Sequence, residues 1–301
     1  MARPFWQTIN PWQKISLFPA QTRGQRAPGG FCALRRSLLL WGWLGWLLVG
    51  WSSGAIAGTL IERLAQFPDW EARPPVQAAA GDLYYPDWFR GTWDVITTLV
   101  DLAAPLAPAV TTPGFEKNRQ FLNQPIPFQA RFVPVDRPPL PQSFGFLRPL
   151  PQIVPVVADR AFNGRNLARA YLDDPTHPEN SPVVDVKVDP TNPNRQLTIL
   201  QGDRRLISTV SARATETPDP AEFVTSEIFQ QEFRRSNQLY LNQVETTTRY
   251  TRLQPSREGD PSITADQVTA IYLSPQDPEF DQAGDRPVAL YRYSLTFVPA
   301  S

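Results

Sequence analysis

The chain has one cysteine and one histidine in 301 residues, and its only methionine is Met1. Cys32 lies in a leader-like segment, so a processed chain has no disulfide, no thiolate metal site and no cysteine nucleophile. A lone His177 excludes the usual zinc sites, which draw on several His or Cys ligands. A Ser–His–Asp triad would have to use that same residue, and no G-x-S-x-G supports one. Nor is there a Gly-rich phosphate loop or an EF-hand spacing. Asp173, Asp174 and Glu179, which flank His177 in "DDPTHPEN", therefore read as a solvated acidic loop. Carboxylates are plentiful, but none stands in a motif that suggests glycosidase work. No repeat of solenoid or propeller period occurs. The expectation is a protein without metal, cofactor or catalytic residues recognisable from sequence.

Acidic residues are also missing from residues 1–57, which carry Arg3, Lys14, Arg23, Arg26, Arg35 and Arg36. Taking those six from the total of 29 basic residues leaves 23 against 29 acids, a net charge of −6 beyond the leader. That balance gives nucleic-acid binding little electrostatic support. The leader has the three parts of an export signal: a basic segment ending in Arg35-Arg36, the apolar run "SLLLWGWLGWLLVGW", and small residues with Ala55 and Ala57 in an A-x-A arrangement. Cleavage after Ala57 is the expectation. Uncleaved, the uncharged run over 38–61 is just long enough to cross a bilayer, which needs roughly 20 residues. "RRSLLL" is a partial match to a twin-arginine signal. The chain thus reads as exported, to a periplasm or a thylakoid lumen, touching a membrane only through this segment.

The remainder of the chain is rich in alternation and poor in long helical patterns. The expected organisation is a signal or anchor over 1–57, a short helix and linker over 58–82, and one β domain over 83–301. "GTWDVITTLV" and "VVDVKVD" alternate with period two, the mark of a half-buried strand. Further strands are expected in "IPFQARFVP", "RQLTILQG", "RRLISTVSARATE", "EFVTSEIFQQEFRR", "LYLNQVETTTRYTRLQ", "QVTAIYLSP" and "VALYRYSLTFVP", separated by turn signals. Residues 101–122 read as a proline-rich capping loop with a short helix near its end. The prolines at 138, 139, 141, 149, 151 and 155 predict an extended crossing rather than a central strand. "GRNLARAYL" predicts a helix over 164–172 capped by Asn163. Strands in succession without βαβ alternation leave a barrel or a sandwich. Tyr291, Tyr293, Leu295 and Phe297 on one face are bulky enough to fill a small barrel, so the fold expected is a single antiparallel up-and-down β-barrel with a few short helices.

The stretch "YYPDWFRGTW" resembles the opening of lipocalin-like (calycin) barrels, where a turn of 3₁₀ helix closes the floor and a Gly-x-Trp begins the first strand. Gly91 and Trp93 match that motif. The resemblance implies a basic partner over the indole, for which Arg292 is the candidate. The span from about 83 to 299 is also similar to an uncharacterised family of cyanobacterial and chloroplast proteins, through "YYPDWFRGTWDV", "PLAPAVTTPGFE", "NQPIPFQARFVP" and "YRYSLTFVP".

Alternation alone assigns Val95, Leu99, Phe128, Phe132, Leu239, Leu241, Tyr293 and Phe297 to the inward face, lining a cavity or filling a core. The leading expectation is a non-enzymatic protein that binds a small apolar ligand such as a lipid, carotenoid or tetrapyrrole. The proline-rich segments at 101–155 suggest an alternative, an assembly or maintenance factor docking on a photosynthetic membrane complex. A third reading is a cofactor-free enzyme on a lipophilic substrate, which would need a buried carboxylate or tyrosine with a shifted pKa.

Overall fold

A computed structural model describes residues 60–112, 114–135, 154–174, 176–236 and 238–300. The leader and most of the proline-rich crossing lie outside the described residues. Among the described residues no helix is long and apolar enough to cross a membrane.

The fold is mainly β, an antiparallel sheet curled into a barrel-like half-barrel with a few short helices. In chain order the strands are β1 (Gln77–Ala78), β2 (Tyr84–Tyr85), β3 (Gly91–Ala103), β4 (Pro125–Pro134), β5 (Val156–Ala158) and β6 (Val183–Asp189). They continue with β7 (Asn192–Leu200), β8 (Arg204–Glu216), β9 (Glu222–Arg235), β10 (Gln238–Arg252), β11 (Ile263–Tyr272) and β12 (Ala289–Pro299). The helices are α1 (Leu60–Ala65), α2 (Phe115–Asn118), α3 (Arg160–Leu172) and α4 (Phe280–Ala283). The sheet runs β2-β5-β4-β3-β12-β11-β10-β9-β8-β7-β6, with β1 added on β8. From β6 to β12 every strand pairs with its sequence neighbour. The last strand then pairs with β3, Tyr293 opposite Leu99 and Pro299 opposite Trp93. Register shifts at Arg292/Tyr293 and at Val210/Ala212 add the local bend that such a curl requires.

The circle is completed by a helix instead of a strand. Helix α3 packs against both β4 and β6, the two strands that flank the seam. Its cap is Asp159, whose Oδ1 accepts from the Phe162 N–H at 3.0 Å. Asn163, expected as the cap, lies one turn inside the helix. Its side chain takes over the open edge of β4: Oδ1 accepts from the Arg131 N–H at 2.6 Å, and Nδ2 donates to the Arg131 carbonyl at 3.1 Å. An Arg131–Asp159 ion pair at 2.6 Å reinforces the joint. Towards β6, Ala168 and Leu172 pack on Val183 and Val186. Gly164 allows the close approach, since a Cβ there would lie 2.6 Å from the Gln196 amide on β7.

The segment before the barrel is docked on the convex face. Leu60, Leu64 and Trp70 are buried against Val224, Val268, Ala270, Tyr272 and Leu290. At the centre of this contact Arg63 makes a two-pronged ion pair with Glu245, Nε to Oε1 at 2.6 Å and Nη2 to Oε2 at 2.8 Å. Tyr272 donates to the same carboxylate at 2.7 Å and Thr247 at 2.8 Å. The Trp70 indole donates to the Arg63 carbonyl at 2.7 Å while its ring lies 3.8 Å under the guanidinium. Glu245 is fully buried, so its charge is held by these donors alone.

Glu245→Ala leaves the Arg63 cation buried without its acid, and urea denaturation is expected to show a loss of about 3–5 kcal/mol. Asn163→Ala removes both bonds to the Arg131 backbone, with an expected loss of about 1–3 kcal/mol in the same measurement.

Candidate functional site

Inside the curl lies a cavity of about 830 Å³, bounded by the concave face of the sheet and roofed by α3. That is within the roughly 300–1,000 Å³ typical of small-molecule sites. Its two walls differ chemically. Strands β4, β12 and β11 supply an apolar wall of Phe128, Ala130, Phe132, Leu295, Phe297 and Ile271. Strands β7, β8 and β9 supply Asn194, Gln196, Thr198, Ser208 and Gln231, interrupted by Phe229 and Phe233. The helix contributes Leu167, Ala168, Tyr171 and Leu172 from above. Tyr171 reaches across to hydrogen-bond Thr97 on β3, and burial lifts its phenol to about 12.

One end is shut. Gly91 holds a φ of +126°, which a side chain disfavours, as the chain turns from a 3₁₀ turn over Asp87–Phe89 into β3. Trp93 points inward two residues later, its Nε1 donating to the Phe89 carbonyl at 2.7 Å. Around it Tyr85 packs at 4.9 Å from Phe89 and 4.8 Å from Phe132, Phe89 at 5.0 Å from Tyr250, and Trp93 at 6.4 Å from Phe297. Such tilted ring pairs contribute about 0.5–1.5 kcal/mol each beyond area burial. The aromatic turn thus packs across this end of the sheet.

A polar network stands beside this floor. Arg160 donates to Glu227 at 3.0 Å, and Arg213 approaches the same carboxylate at 3.3 Å. Arg213 also bonds Asn194 and, at 3.2 Å, the Gly81 carbonyl. Tyr85 and Tyr250 are hydrogen-bonded to each other beside it. Burial pushes the Tyr85 phenol well up and carries Tyr250 to about 12. The acid and both guanidinia are partnered within the protein, although the Arg213 Nε is buried without a hydrogen bond.

The opposite end is the mouth. There lie Lys117 and Gln120 from the segment before β4, and Arg204 at the start of β8. No aspartate or glutamate lines the cavity among the described residues.

Of the residues assigned inward by alternation, Phe128, Phe132, Tyr293 and Phe297 line the cavity. Val95 and Leu99 are on the same concave face, buried in the core beside it. Leu239 and Leu241 are a correction. Strand β10 buries Tyr240, Asn242 and Val244 on its concave face, so the residues between them face outward, and Leu239 is 47% exposed. Both faces of "LYLNQV" begin apolar, so alternation alone does not decide which of them faces inward. The parity shared by Val244, Thr246 and Tyr250, all lining the cavity, carried the better signal.

Arg292 is a second correction. It stands opposite Asp101, seven residues along β12 from the Pro299–Trp93 pair, about 23 Å at the rise of a strand. Lying between the inward Tyr291 and Tyr293, it points to the convex face. There it pairs with Asp266 at 2.6 Å and lies 5.6 Å over the Phe67 ring. The Trp93 indole is held instead by the Phe297 ring and the Phe89 carbonyl. Arg160, Arg204 and Gln196 were not found from sequence, since each needed the curl to bring it to the cavity.

His177 sits exposed in its turn, 3.7 Å from the Asp174 carboxylate. Thr176 donates to Asp174 and lowers its pKa. Among the described residues no group of three or more His, Cys, Asp or Glu is placed to hold a metal.

A rolled antiparallel sheet with one sealed end and an internal cavity defines a barrel-like protein with a pocket. The chain belongs to the family DUF6816, described as a domain of unknown function, whose model matches residues 77–301. No curated protein and no solved structure matches it.

Burial raises seven of the eight tyrosines, Tyr84 aside. A phenol whose folded pKa exceeds its unfolded value stabilises fully below the unfolded pKa and loses that contribution as pH rises through the folded one. Stability is therefore expected to hold through neutral pH and to fall from about pH 10 upward. In a spectrophotometric titration those seven should ionise together with unfolding rather than in separate earlier steps.

Proposed function

We propose that this protein is a non-enzymatic, lipocalin-like carrier that holds a small hydrophobic ligand inside its half-barrel. The observation that carries the reading is the internal cavity of about 830 Å³, floored by edge-to-face rings and walled on one side by Phe, Leu and Ile. A ligand-free core would interdigitate side chains to close packing, leaving few voids larger than a water molecule. An apolar surface this extensive, left next to such a volume, is costly unless a ligand covers it. The leader supports a location across a membrane, in a periplasm or thylakoid lumen, where the ligand would be a lipid, carotenoid or tetrapyrrole.

Catalysis finds less support in the same geometry. An acid–base enzyme would use an available carboxylate in the cavity, and Glu227, the nearest buried acid, is engaged by Arg160 and Arg213.

Native mass spectrometry of the protein taken from its own host is expected to show an apolar molecule bound in stoichiometric amount. Leu295→Trp, which adds bulk to the cavity wall, should lower that occupancy severalfold while leaving the circular-dichroism spectrum unchanged. Protein that carries no apolar molecule and retains none when offered would refute the carrier reading.

A further inference from the structure

Strands β8 and β9 carry two arginine pairs in direct register at the mouth, Arg204 opposite Arg235 and Arg205 opposite Arg234. Like charges placed directly across a sheet are destabilising. The two pairs are treated differently. On the convex face each guanidinium has its own acid: Arg234 meets Glu232 at 2.6 Å, and Arg205 meets Asp203 at 3.6 Å. On the concave face neither Arg204 nor Arg235 has a carboxylate among the described residues. Arg204 lines the cavity, and there its one hydrogen bond runs from Nε to the Gln201 carbonyl at 2.9 Å. Burial and the facing Arg235 both press its pKa down. Lys117 adds a third cation at the same mouth, and the cavity lining offers no acid to balance it.

We infer that the mouth is an anion site, and that the ligand is an amphiphile with a carboxylate or phosphate head held between Arg204 and Arg235 and an apolar tail lying along the aromatic wall. This rests on the carrier reading and narrows it to a ligand class. The alternative head position, beside Arg160, is closed by chemistry: that guanidinium is already bound by Glu227 and faces Asp82 at 4.0 Å. The Nη groups of Arg204, whose Nε is taken by Gln201, and the guanidinium of Arg235 match the two or three oxygens of such a head. An anion between them also removes the repulsion that their register creates.

The test uses the full chain in mild detergent, photolabelled with palmitate bearing a diazirine near its methyl end. Unlabelled palmitate, hexadecyl phosphate and hexadecanol then compete. In the native chain palmitate or hexadecyl phosphate, whichever head fits, should suppress labelling at a concentration about tenfold or more below that of hexadecanol. Which of the two is stronger separates a free carboxylic acid from a phosphorylated lipid. The double variant Arg204→Gln, Arg235→Gln should erase the gap and leave hexadecanol unchanged, because partition into micelles is the same in both samples. Its melting temperature should be equal or higher, which separates loss of the site from loss of the fold. Label should map to the floor ends of β3, β4 and β12. Equal competition by all three compounds in the native chain, or a gap that survives the double variant, would overturn the anion site while leaving the carrier reading standing. If a diazirine-bearing hexadecanol and the labelled palmitate both fail to mark the cavity, the carrier reading falls with it.

Discussion

The interior exists because an amide side chain finishes an edge that no strand covers. Strand β5 pairs with β4 only from Phe132 to Pro134, and beyond that point β4 turns open N–H and C=O groups towards the seam. Asn163 answers both groups of Arg131, and the Asp159 N–H adds a bond to the same carbonyl at 2.9 Å. A helix presents no ladder of its own, so a side chain with both a donor and an acceptor is what allows it to stand in for a strand. The helix brings a second benefit to the site. A strand would have closed the sheet into a narrower tube, whereas α3 bridges β4 and β6 and roofs a space large enough for a ligand.

Polar and apolar forces are separated along the axis of this space. At the floor, rings from the 3₁₀ turn and from β4, β9, β10 and β12 meet edge to face, and next to them one acid is shared by two guanidinia. At that end the acid and both guanidinia have partners within the protein. At the mouth the concave side of β8 and β9 ends in Arg204 and Arg235, with no carboxylate partner among the described residues. A chain that pairs Arg63 with a fully buried Glu245 and Arg160 with Glu227 can evidently place acids where folding needs them. Among the described residues the convex pair of the mouth is supplied with two acids, and the concave pair beside it with none.

Much of this was legible in the primary structure, and the parts that were not share a cause. The period-two segments marked the long strands, matching β8 and β9 end to end but missing the first residues of β7 and β11, and in the ring-rich turn before Trp93 Phe89 is buried while Tyr84 is exposed. The short strands Tyr84–Tyr85 and Val156–Ala158 carry too few residues to show a period. The helix over Arg160–Leu172 was read four residues short, since Asp159 and Asn163 are both good capping residues and only the packing against β4 decides between them. Facing was recovered where one face was plainly bulkier, as in β12, and lost in β10, where both faces begin with large apolar residues. The partner of Trp93 failed for a different reason. A motif specifies the residue that needs covering, but the register between β3 and β12 decides what lies there, and pairing over more than a hundred residues of separation leaves no local trace.

The cavity, too, could not be read from composition. Each lining residue is ordinary in its own strand: a Gln on β7, a Thr on β11, a Phe on β4. The void arises from what α3 fails to fill. Its inward surface includes Leu167, Ala168 and Tyr171, one of them small, and the wall on β4 includes Ala130. Larger residues at those positions would have turned the same barrel into a packed core. A small residue on a roof that is otherwise firmly bonded to both flanking strands keeps the interior open without weakening the shell, and that combination is what a carrier requires.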